Sequence, residues 1–246
     1  MAEDIFLSVL IPSYNEAENI EPTLREIAEY LSGRDLVAEV IVIDDGSDDD
    51  TSKKAKKIAD KFTSLKLLSY SPNRGKGYAV KKGFEAATGR YAMWIDADNS
   101  TSIKELDAFL PYMNGEWDAV IGSRRLKGSD IVEREPFLRI FMGQFYIALC
   151  NIILGLGVKD VNCGFKVFDN AKVGPLAVQM RSSGWSLDAE LMFLMRRKGY
   201  TIKELPVRWE HHDKTSKVKP LKAAVDSFSS LVRIRVDHIR GLYNLR

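Results

Sequence analysis

The sequence predicts an α/β fold in which a mainly parallel sheet is covered by helices on both faces. In the first half of the chain, short apolar runs alternate with segments whose apolar residues recur at helical spacing. The run at residues 40–43 is β-branched throughout, which is typical of a strand buried on both faces. Polar clusters follow the runs, and in such sheets ligands bind beyond the carboxyl ends of the strands.

The elements of the first half follow from these patterns in order. We expect strands at residues 7–11, 40–43, 65–70, 91–95 and 119–122. Helices are expected between them, at residues 20–31, 55–62 and 75–87, with one more before the fifth strand. Gly89 would stop the third helix.

The second half is less regular. It predicts a strand at residues 165–168, a helix at 187–197, a strand at 202–209 and an amphipathic helix at 221–239. We therefore expect one domain over residues 1–210, divided into halves 1–125 and 126–210. The remaining residues, 211–246, would form a basic loop and a C-terminal helix.

Residues 140–158 contain no charged side chain, and we expect an apolar helix over residues 137–156. The stretch reaches the length of a transmembrane helix, roughly 17–25 residues, but Gly155 and Gly157 would end the helix early. Two interpretations remain open: a buried core helix, and a helix that lies in the membrane interface. A true span is less favoured.

The composition excludes several classes of protein. The chain of 246 residues is 45% apolar and 28% charged, so it is neither disordered nor a small disulfide scaffold. A net charge of +2 is too small for binding nucleic acid by bulk charge. Residues 214–246 carry a charge of +6 against −4 for the rest, which indicates that the tail meets an anionic surface.

Two further features bear on localisation. Cys150 and Cys163 lack the spacing of a zinc site, so we interpret both as reduced and structural. The acidic N-terminus lacks the features of a signal peptide. We expect a cytoplasmic protein that is peripheral on the cytosolic face of a membrane.

Three polar clusters could carry chemistry. Asp96 and Asp98 directly follow the strand at 91–95, where two carboxylates could share Mg²⁺ or Mn²⁺ and a substrate diphosphate. Asp44 and Asp45 follow the strand at 40–43 and could accept hydrogen bonds from a base or ribose, or serve the start of the next helix. The glycine-rich cluster at 73–77 precedes a helix and offers amides and cations to a diphosphate.

A fourth cluster is basic and adjoins the apolar stretch. It comprises Arg124, Arg125, Arg134 and Arg139. Guanidinium groups pair with phosphate in a bidentate manner, which favours an anion docked where the protein meets lipid. An ordinary solvated charge run is the alternative, because acidic residues lie nearby.

Taken in order, these motifs resemble the family 2 glycosyltransferases of GT-A fold. The matching segments are Ile11-Pro-Ser-Tyr-Asn-Glu16, Ile43-Asp-Asp-Gly-Ser47, Asn73-Arg-Gly-Lys-Gly77, Asp96-Ala-Asp98, Gly122-Ser-Arg124, Asn162-Cys-Gly-Phe-Lys166, Trp185-Ser-Leu-Asp-Ala-Glu190 and Thr215-Ser-Lys-Val218. The set is similar to the polyprenol-phosphate sugar synthases, namely the dolichyl-phosphate glucosyltransferases and their mannose synthase relatives. The segments at 73–77 and 163–166 look more like the glucosyl branch.

The resemblance implies a role for each matched residue. Nucleotide-sugar contacts would come from Pro12, Tyr14, Glu16, Asp44, Asp45, Lys76 and Asp96. Asp98 would be the main protein ligand of the metal, with Asp96 beside it. Ser100 stands where the mannose synthases have Gln, so water could replace a third ligand. Arg124 and Arg139 would hold the acceptor phosphate, and Lys217 would close over the diphosphate.

The implied activity is an inverting, metal-dependent transfer of a hexose from a nucleotide sugar, with UDP-glucose favoured, to dolichyl or polyprenyl phosphate. A phosphate acceptor is already anionic, so a strong base is not required. Asp188 is the candidate for a base or a sugar contact, or else a helix N-terminal carboxylate. The alternatives are GDP-mannose as donor, transfer to a glycan, a sugar nucleotidyltransferase, and a non-catalytic binding protein. The nucleotidyltransferase is disfavoured because residues 13–16 lack a glycine-rich loop.

Overall fold

The computed structural model describes residues 4–132, 137–184, 186–210 and 220–245, and the side chains of 137–139 and 220–227 lie outside this description. Nine strands occur in the described part of the chain: β1 Leu7–Ser13, β2 Ala38–Asp44, β3 Leu65–Ser69, β4 Tyr91–Ile95, β5 Ala119–Ser123, β6 Asp130–Ile131, β7 Phe165–Asp169, β8 Ile202–Pro206 and β9 Arg208–Trp209.

Seven of these strands form one sheet in the order β3-β2-β1-β4-β7-β5-β8. All neighbouring strands are parallel except β7, which runs antiparallel to both β4 and β5. The predicted mainly parallel sheet is therefore confirmed. The strand predicted at residues 202–209 is interrupted, because its last part leaves the sheet as β9 and pairs with β6.

Helices cover both faces of the sheet. They are α1 Ile20–Ser32, α2 Thr51–Lys57, α3 Lys76–Ala86, α4 Leu106–Phe109, α5 Phe137–Leu154, α6 Asn170–Ala177, α7 Leu187–Arg197 and α8 Pro220–Ile239. The helix expected at 55–62 begins and ends earlier, and a 3-10 turn at Ala59–Lys61 follows it. Helix α6 was not predicted, since Pro175 and Gly174 interrupt its pattern.

The alternation of side chains along β1 divides the core into two layers. Leu10 packs with α3 and with the layer formed by α5, α6, α7 and α8, whereas Val9 and Ile11 pack with α1, α2 and α4 on the other face. All three side chains are fully buried. Burial on both faces explains why this strand reads as a continuous apolar run.

Helix α5 is buried on one side and exposed on the other. Ile147, Cys150 and Leu154 are buried in the core, while Phe141 and Ile152 on the opposite side are 58% and 80% exposed. The helix ends at Leu154 because the next residues turn away through two glycines with positive φ. Within the described part of the chain, no helix has both the length and the hydropathy needed to cross a membrane.

Helix α8 packs against α5 and α7. Leu231 and Ile234 are buried, and beyond the helix Tyr243 is buried in the same core. The predicted domain boundary between residues 210 and 211 falls at the edge of a segment outside the described residues, and it stays a prediction.

Candidate active site

The carboxyl ends of β1, β2 and β4 lie side by side and bring the predicted nucleotide residues to one edge of the sheet. The register pairs Ser13 with Asp44 at the end of β1 and β2. Pro12 is buried in β1, and Tyr14 just beyond the strand is 45% exposed. The Glu16 carboxylate accepts a hydrogen bond from Asn19 at 2.7 Å, and its backbone N–H donates to Thr51 of α2. These contacts fix the loop that follows β1.

Asp44 and Asp45 are both almost fully buried, and the protein itself occupies much of their hydrogen-bonding capacity. Asp44 accepts hydrogen bonds from the Ser47 backbone N–H at 2.9 Å and from the Ser52 hydroxyl. Asp45 accepts from the Asn73 side chain and from the backbone N–H groups of 74 and 75, at 2.7–2.8 Å. Asp45 thus ties the end of β2 to the glycine-rich turn.

The glycine-rich turn is packed against a second loop. Gly75 has φ +92°, and a Cβ at Gly75 or Gly77 would overlap the backbone carbonyls of Ser183 or Ser182. The Gly77 N–H donates to the Ser183 carbonyl at 3.0 Å. Since Asp45 and Ser183 take three amides of this turn, the amides are less available to a diphosphate than the sequence indicated. The cations of the turn, above all Lys76, would still attract a diphosphate.

Lys76 forms an ion pair with Asp96, at 2.6 Å between Nζ and Oδ1. Burial alone would lower the pKa of Lys76, but the charges of Asp96 and Asp188 outweigh it and hold that pKa above its ordinary value. Lys76 is therefore a permanent cation at the mouth of the site.

Gly164 makes room for the Asp96 carboxylate. A Cβ at this position would overlap the carboxylate, and the Gly164 carbonyl also accepts a hydrogen bond from the Asp96 N–H at 3.2 Å. The antiparallel strand β7, which begins at the next residue, carries this glycine to the end of β4.

Asp98 is the second carboxylate after β4. Burial and the charge of Asp96 raise its pKa above the ordinary value, although the Ser100 N–H donates to its Oδ1 at 2.9 Å. Asp98 and the neighbouring Asp96 offer two hard carboxylate ligands, the donor type that Mg²⁺ and Mn²⁺ prefer. In the described part of the chain no group of three or more His, Cys, Asp or Glu side chains could hold a metal. Substrate oxygens and water would complete the coordination.

Asp188 stands in the first turn of α7 and pairs with a buried lysine. Lys166 of β7 donates to the Asp188 carboxylate and to the Cys163 carbonyl, and its Nζ lies 4.8 Å from the Trp94 ring centre. The side chain of Asp188 is 10% exposed. Both interpretations of Asp188 remain open, because a helix N-terminal carboxylate with a lysine partner can still face a sugar.

Helix α5 contributes a polar group close to this pair. The Tyr146 hydroxyl is buried near Cys150 and Asp188, and burial followed by these neighbours raises its pKa. Tyr146 was not predicted as a site residue, because it lies inside an apolar run without a motif around it.

Glu190 holds the loop that backs the glycine-rich turn. Its carboxylate accepts hydrogen bonds from the backbone N–H groups of Arg181 and Ser182 at 2.8 and 2.7 Å, and from the Tyr243 hydroxyl at 2.7 Å. Glu190 is fully buried. It connects the C-terminal segment to the loop that packs on Gly75 and Gly77.

Arg124 has a strong intramolecular partner. Its Nε and one terminal nitrogen bind the two carboxylate oxygens of Asp160 at 2.8 and 3.0 Å. Asp160 is fully buried; burial alone would raise its pKa, but Arg124 holds it below the ordinary value. The predicted acceptor cation is thus also the partner of a buried carboxylate, which the sequence did not indicate.

Two predicted residues cannot be placed in the site. The side chain of Arg139, in the first turn of α5, and the whole of Lys217 lie outside the described residues. Glu210, the last described residue before the segment that contains Lys217, donates its backbone N–H to the Ser100 carbonyl at 2.8 Å. The chain therefore enters that segment beside the Asp98 loop.

The fold and the site together define a glycosyltransferase of GT-A type. The profile of Glycosyl transferase family 2 matches residues 8–173, and this chain belongs to that family. The resemblance inferred from the motifs is confirmed.

Individual relatives agree with this assignment. The dolichyl-phosphate beta-glucosyltransferase of Dictyostelium discoideum is 33% identical, over 99% of this chain and 78% of the relative. Mannosyl-3-phosphoglycerate synthase from Rubrobacter xylanophilus has a similar fold, with a TM-score of 0.74 and 18% identity over 98% of this chain and 77% of that one. Glucosyl-3-phosphoglycerate synthase from Mycobacterium tuberculosis, in complex with Mn²⁺, UDP-glucose and phosphoglyceric acid, gives a TM-score of 0.70 and 18% identity over 93% and 78%.

Proposed function

We propose that this protein transfers glucose from UDP-glucose to a dolichyl or polyprenyl phosphate, with inversion at the anomeric carbon and with Mg²⁺ or Mn²⁺ as cofactor. The observation that carries the proposal is the carboxylate pair Asp96 and Asp98 at the end of β4, next to Lys76. The choice of sugar and acceptor is supported by the 33% identity to the dolichyl-phosphate beta-glucosyltransferase of Dictyostelium discoideum.

The cofactor proposal is supported by the donor set and by one fold neighbour. Asp98 would be the main protein ligand, with Asp96 beside it, and the glucosyl-3-phosphoglycerate synthase was solved with Mn²⁺ and UDP-glucose. A divalent cation bound there would neutralise the leaving diphosphate.

The chain's own residues would align two anions. Pro12, Tyr14, Glu16, Asp44 and Asp45 would line or support the nucleotide pocket. Lys76, held cationic by its carboxylate neighbours, would attract the diphosphate. Alignment of an acceptor phosphate with the anomeric carbon then supplies much of the rate enhancement. Asp188 would contact the sugar, and Lys217 would close over the diphosphate.

The acceptor would arrive from a membrane surface, along the exposed side of α5. We propose that Arg124 and Arg139 hold its phosphate and that the protein is peripheral on the cytosolic face. The exposed apolar residues of α5 support this, because monomeric proteins rarely expose such side chains as a continuous face.

Variants of Arg124 and Arg139 test whether these cations bind the acceptor phosphate or the nucleotide sugar. Arg139→Ala should raise KM for the lipid phosphate by roughly ten- to a hundredfold, the loss of one charge-assisted hydrogen bond, and leave KM for the nucleotide sugar unchanged. Arg124→Ala should do the same and also lower the melting temperature, because Asp160 would be left buried without its partner. A rise in the nucleotide-sugar KM alone would place both cations at the donor.

The proposed function is tested by incubating the protein with a panel of nucleotide sugars and one short polyprenyl phosphate, with Mn²⁺ or Mg²⁺. We expect a glucosylated lipid phosphate from UDP-glucose, in the β configuration. A mannosylated product from GDP-mannose, or no transfer to the lipid phosphate from any nucleotide sugar, would overturn the proposal.

A further inference from the structure

A cavity of about 310 Å³ lies away from the active site, where the end of α5 meets α7 and α8. Its walls are residues 152–155 of α5 and its C-terminal turn, together with Arg196, Arg197 and Arg235. Three guanidinium groups thus share one small cavity, and no carboxylate belongs to its lining among the described residues. Such a concentration of positive charge is stabilised when an anion binds.

The contacts of these arginines leave the cavity cationic. Arg196 donates from Nε to the Leu156 carbonyl at 2.8 Å, which accounts for part of one guanidinium. Arg235 lies over the Phe193 ring at 5.9 Å, and Arg197 is exposed in the last turn of α7. Burial and the positive charges of Arg197 and Arg235 lower the pKa of the adjacent His238, which favours its neutral form beside these cations.

The rim of the cavity is apolar and exposed. Ile152, on the wall itself, is 80% exposed, and it continues the stripe of Phe141 and Phe145 along α5. On α8, Phe228, Val232 and Ile239 are exposed at helical spacing, and Arg235 falls on the same stripe. An anion site bordered by exposed apolar side chains on two packed helices has the chemistry of a lipid headgroup with its acyl chains.

We propose that the cavity formed by Arg196, Arg197 and Arg235 binds the phosphate headgroup of an anionic membrane phospholipid and docks the face of α5 and α8 on the bilayer. The guanidinium groups would pair with phosphate oxygens, while the apolar stripes enter the interface. This site is distinct from the active-site pair of Lys166 and Asp188. Arg197 and Asp188 lie nine residues apart on α7, so the helical rise separates their Cα atoms by about 13.5 Å along the axis.

This inference rests on the proposed function insofar as that function brings the protein to a membrane. A headgroup bound at one end of α7 would hold the other end, with Asp188, at the depth of the phosphates of the bilayer. The acceptor phosphate could then reach the site without leaving the membrane surface.

Vesicle flotation tests the proposal. Wild type, Arg197→Ala/Arg235→Ala and Arg233→Ala/Arg240→Ala would be floated with phosphatidylcholine vesicles with and without phosphatidylserine. Arg233 is exposed on another face of α8 and Arg240 is exposed directly after the helix, and neither lines the cavity, so the control removes the same charge. We expect the cavity variant to lose at least about tenfold in affinity for phosphatidylserine vesicles. The control should lose less, because it loses the same attraction to the anionic surface but no pairing with a headgroup. Equal losses in both variants would overturn the proposal.

Further measurements identify the ligand and check that the variants are folded. Binding of inorganic phosphate by the wild type, together with unchanged flotation of the cavity variant on phosphatidylserine vesicles, would assign the cavity to free phosphate and overturn the proposal. A wild type that dimerises and stays off both vesicles would assign the face to a second copy. Thermal melting checks folding, and Arg235→Ala alone, at an exposed position, provides a milder variant that should still lose affinity if the proposal holds.

The two proposals can fail separately. Glucose transfer to a short polyprenyl phosphate in detergent should be unchanged in the cavity variant, because that assay needs no docking. Wild type that binds phosphatidylserine vesicles but transfers nothing would overturn the proposed function alone. Transfer in detergent without vesicle binding would overturn the phospholipid site alone.

Discussion

At the scale of single residues, the site depends on small groups that give carboxylates their place. Asp96 can lie beside Lys76 only because Gly164 has no side chain. Asp45, which the sequence indicated as a nucleotide contact, binds the turn at 73–75 with three hydrogen bonds from that turn. Gly164 and Asp45 hold other residues of the site in place. Their role could be recognised only in the structure, where distant segments of the chain meet.

Gly164→Ala tests this positioning. The new Cβ would overlap the Asp96 carboxylate, so we expect kcat to fall by about a hundredfold, as it does when a reacting group is displaced by about 1 Å. Steady-state kinetics and thermal melting would be measured together. Gly33→Ala is the matched control, since a Cβ there has its nearest neighbour at 4.0 Å and the site is distant. Full activity in Gly164→Ala would show that the position of Asp96 is unimportant.

Much of the residue-level site could be read from the sequence, and the rest could not for definite reasons. Asp96 and Asp98 were predictable because they follow an apolar strand directly. The Arg124–Asp160 pair was not, since the partners lie 36 residues apart on either side of α5. The Lys166–Asp188 pair joins β7 to α7, and only the reversed direction of β7 brings Lys166 to that helix.

At the scale of elements, buried polar contacts join strands at the end of the sheet opposite the site. Glu39 at the start of β2 accepts hydrogen bonds from the Ser8 hydroxyl of β1 and from the backbone and side chain of Thr88, at 2.7–2.8 Å. It also pairs with Lys66 of β3 at 2.6 Å. One fully buried carboxylate thus links three strands and the turn before β4.

The stability of this link should depend on pH. Burial alone would raise the pKa of Glu39, but Lys66, Ser8 and Thr88 outweigh it and lower that pKa to about 2, from 4.5. A depressed carboxylate pKa stabilises the fold fully above pH 4.5, and the stabilisation is lost as pH falls toward 2. From that shift we expect Glu39→Gln to lower the free energy of unfolding at pH 7 by about 3 kcal/mol.

Urea unfolding at several pH values measures this effect. Below pH 4.5, the free energy of unfolding should fall less steeply with pH in Glu39→Gln than in the wild type. Glu29→Gln, an exposed position on α1, is the control and should change little. An identical pH dependence in wild type and Glu39→Gln would show that this carboxylate does not set acid stability.

The elements themselves show where sequence patterns succeed. Strand β4 and helix α7 have the predicted bounds, because each is a strongly apolar or periodic segment with clear ends. Helix α6 and the short strand β6 were missed, because their pattern is brief and depends on neighbours. The residues of β9 were predicted as strand, but as the end of one continuous strand with β8. The antiparallel direction of β7 follows from the long excursion of the chain through α5, which no local pattern reports.

At the scale of the whole molecule, two surfaces matter. One is the edge of the sheet at the carboxyl ends of β1, β2 and β4, and the other is the exposed apolar side of α5. The sequence left two interpretations of residues 140–158, a core helix and a helix in the membrane interface. In the structure one side of α5 is buried in the core and the other side is exposed, and the interfacial role stays a prediction. Composition alone could not decide this, since both sides of the helix are apolar.

The exposed half of α5 should control binding to lipid independently of charge. Phe145→Gln/Ile152→Gln removes apolar surface from positions that are 57% and 80% exposed, so stability should change by less than about 1 kcal/mol. Binding to phosphatidylcholine vesicles and to phosphatidylserine vesicles should weaken by similar factors. Gln144→Ala, an exposed polar position on α5, is the control. Unchanged flotation on both vesicles would mean that this face does not meet the membrane.

The central claim is that Asp98, beside Asp96, makes this fold a metal-dependent sugar transferase. The most direct measurement is the transfer of labelled glucose from UDP-glucose into a polyprenyl phosphate as a function of Mn²⁺ concentration, in wild type, Asp98→Ala and the exposed control Asp48→Ala. We predict that the wild type and the control require the metal. Asp98→Ala should lose at least about a hundredfold in rate, an effect of roughly 2.7 kcal/mol on the barrier, while its melting temperature stays near that of the wild type. Transfer by Asp98→Ala at a near-normal rate with the same Mn²⁺ requirement would contradict the claim.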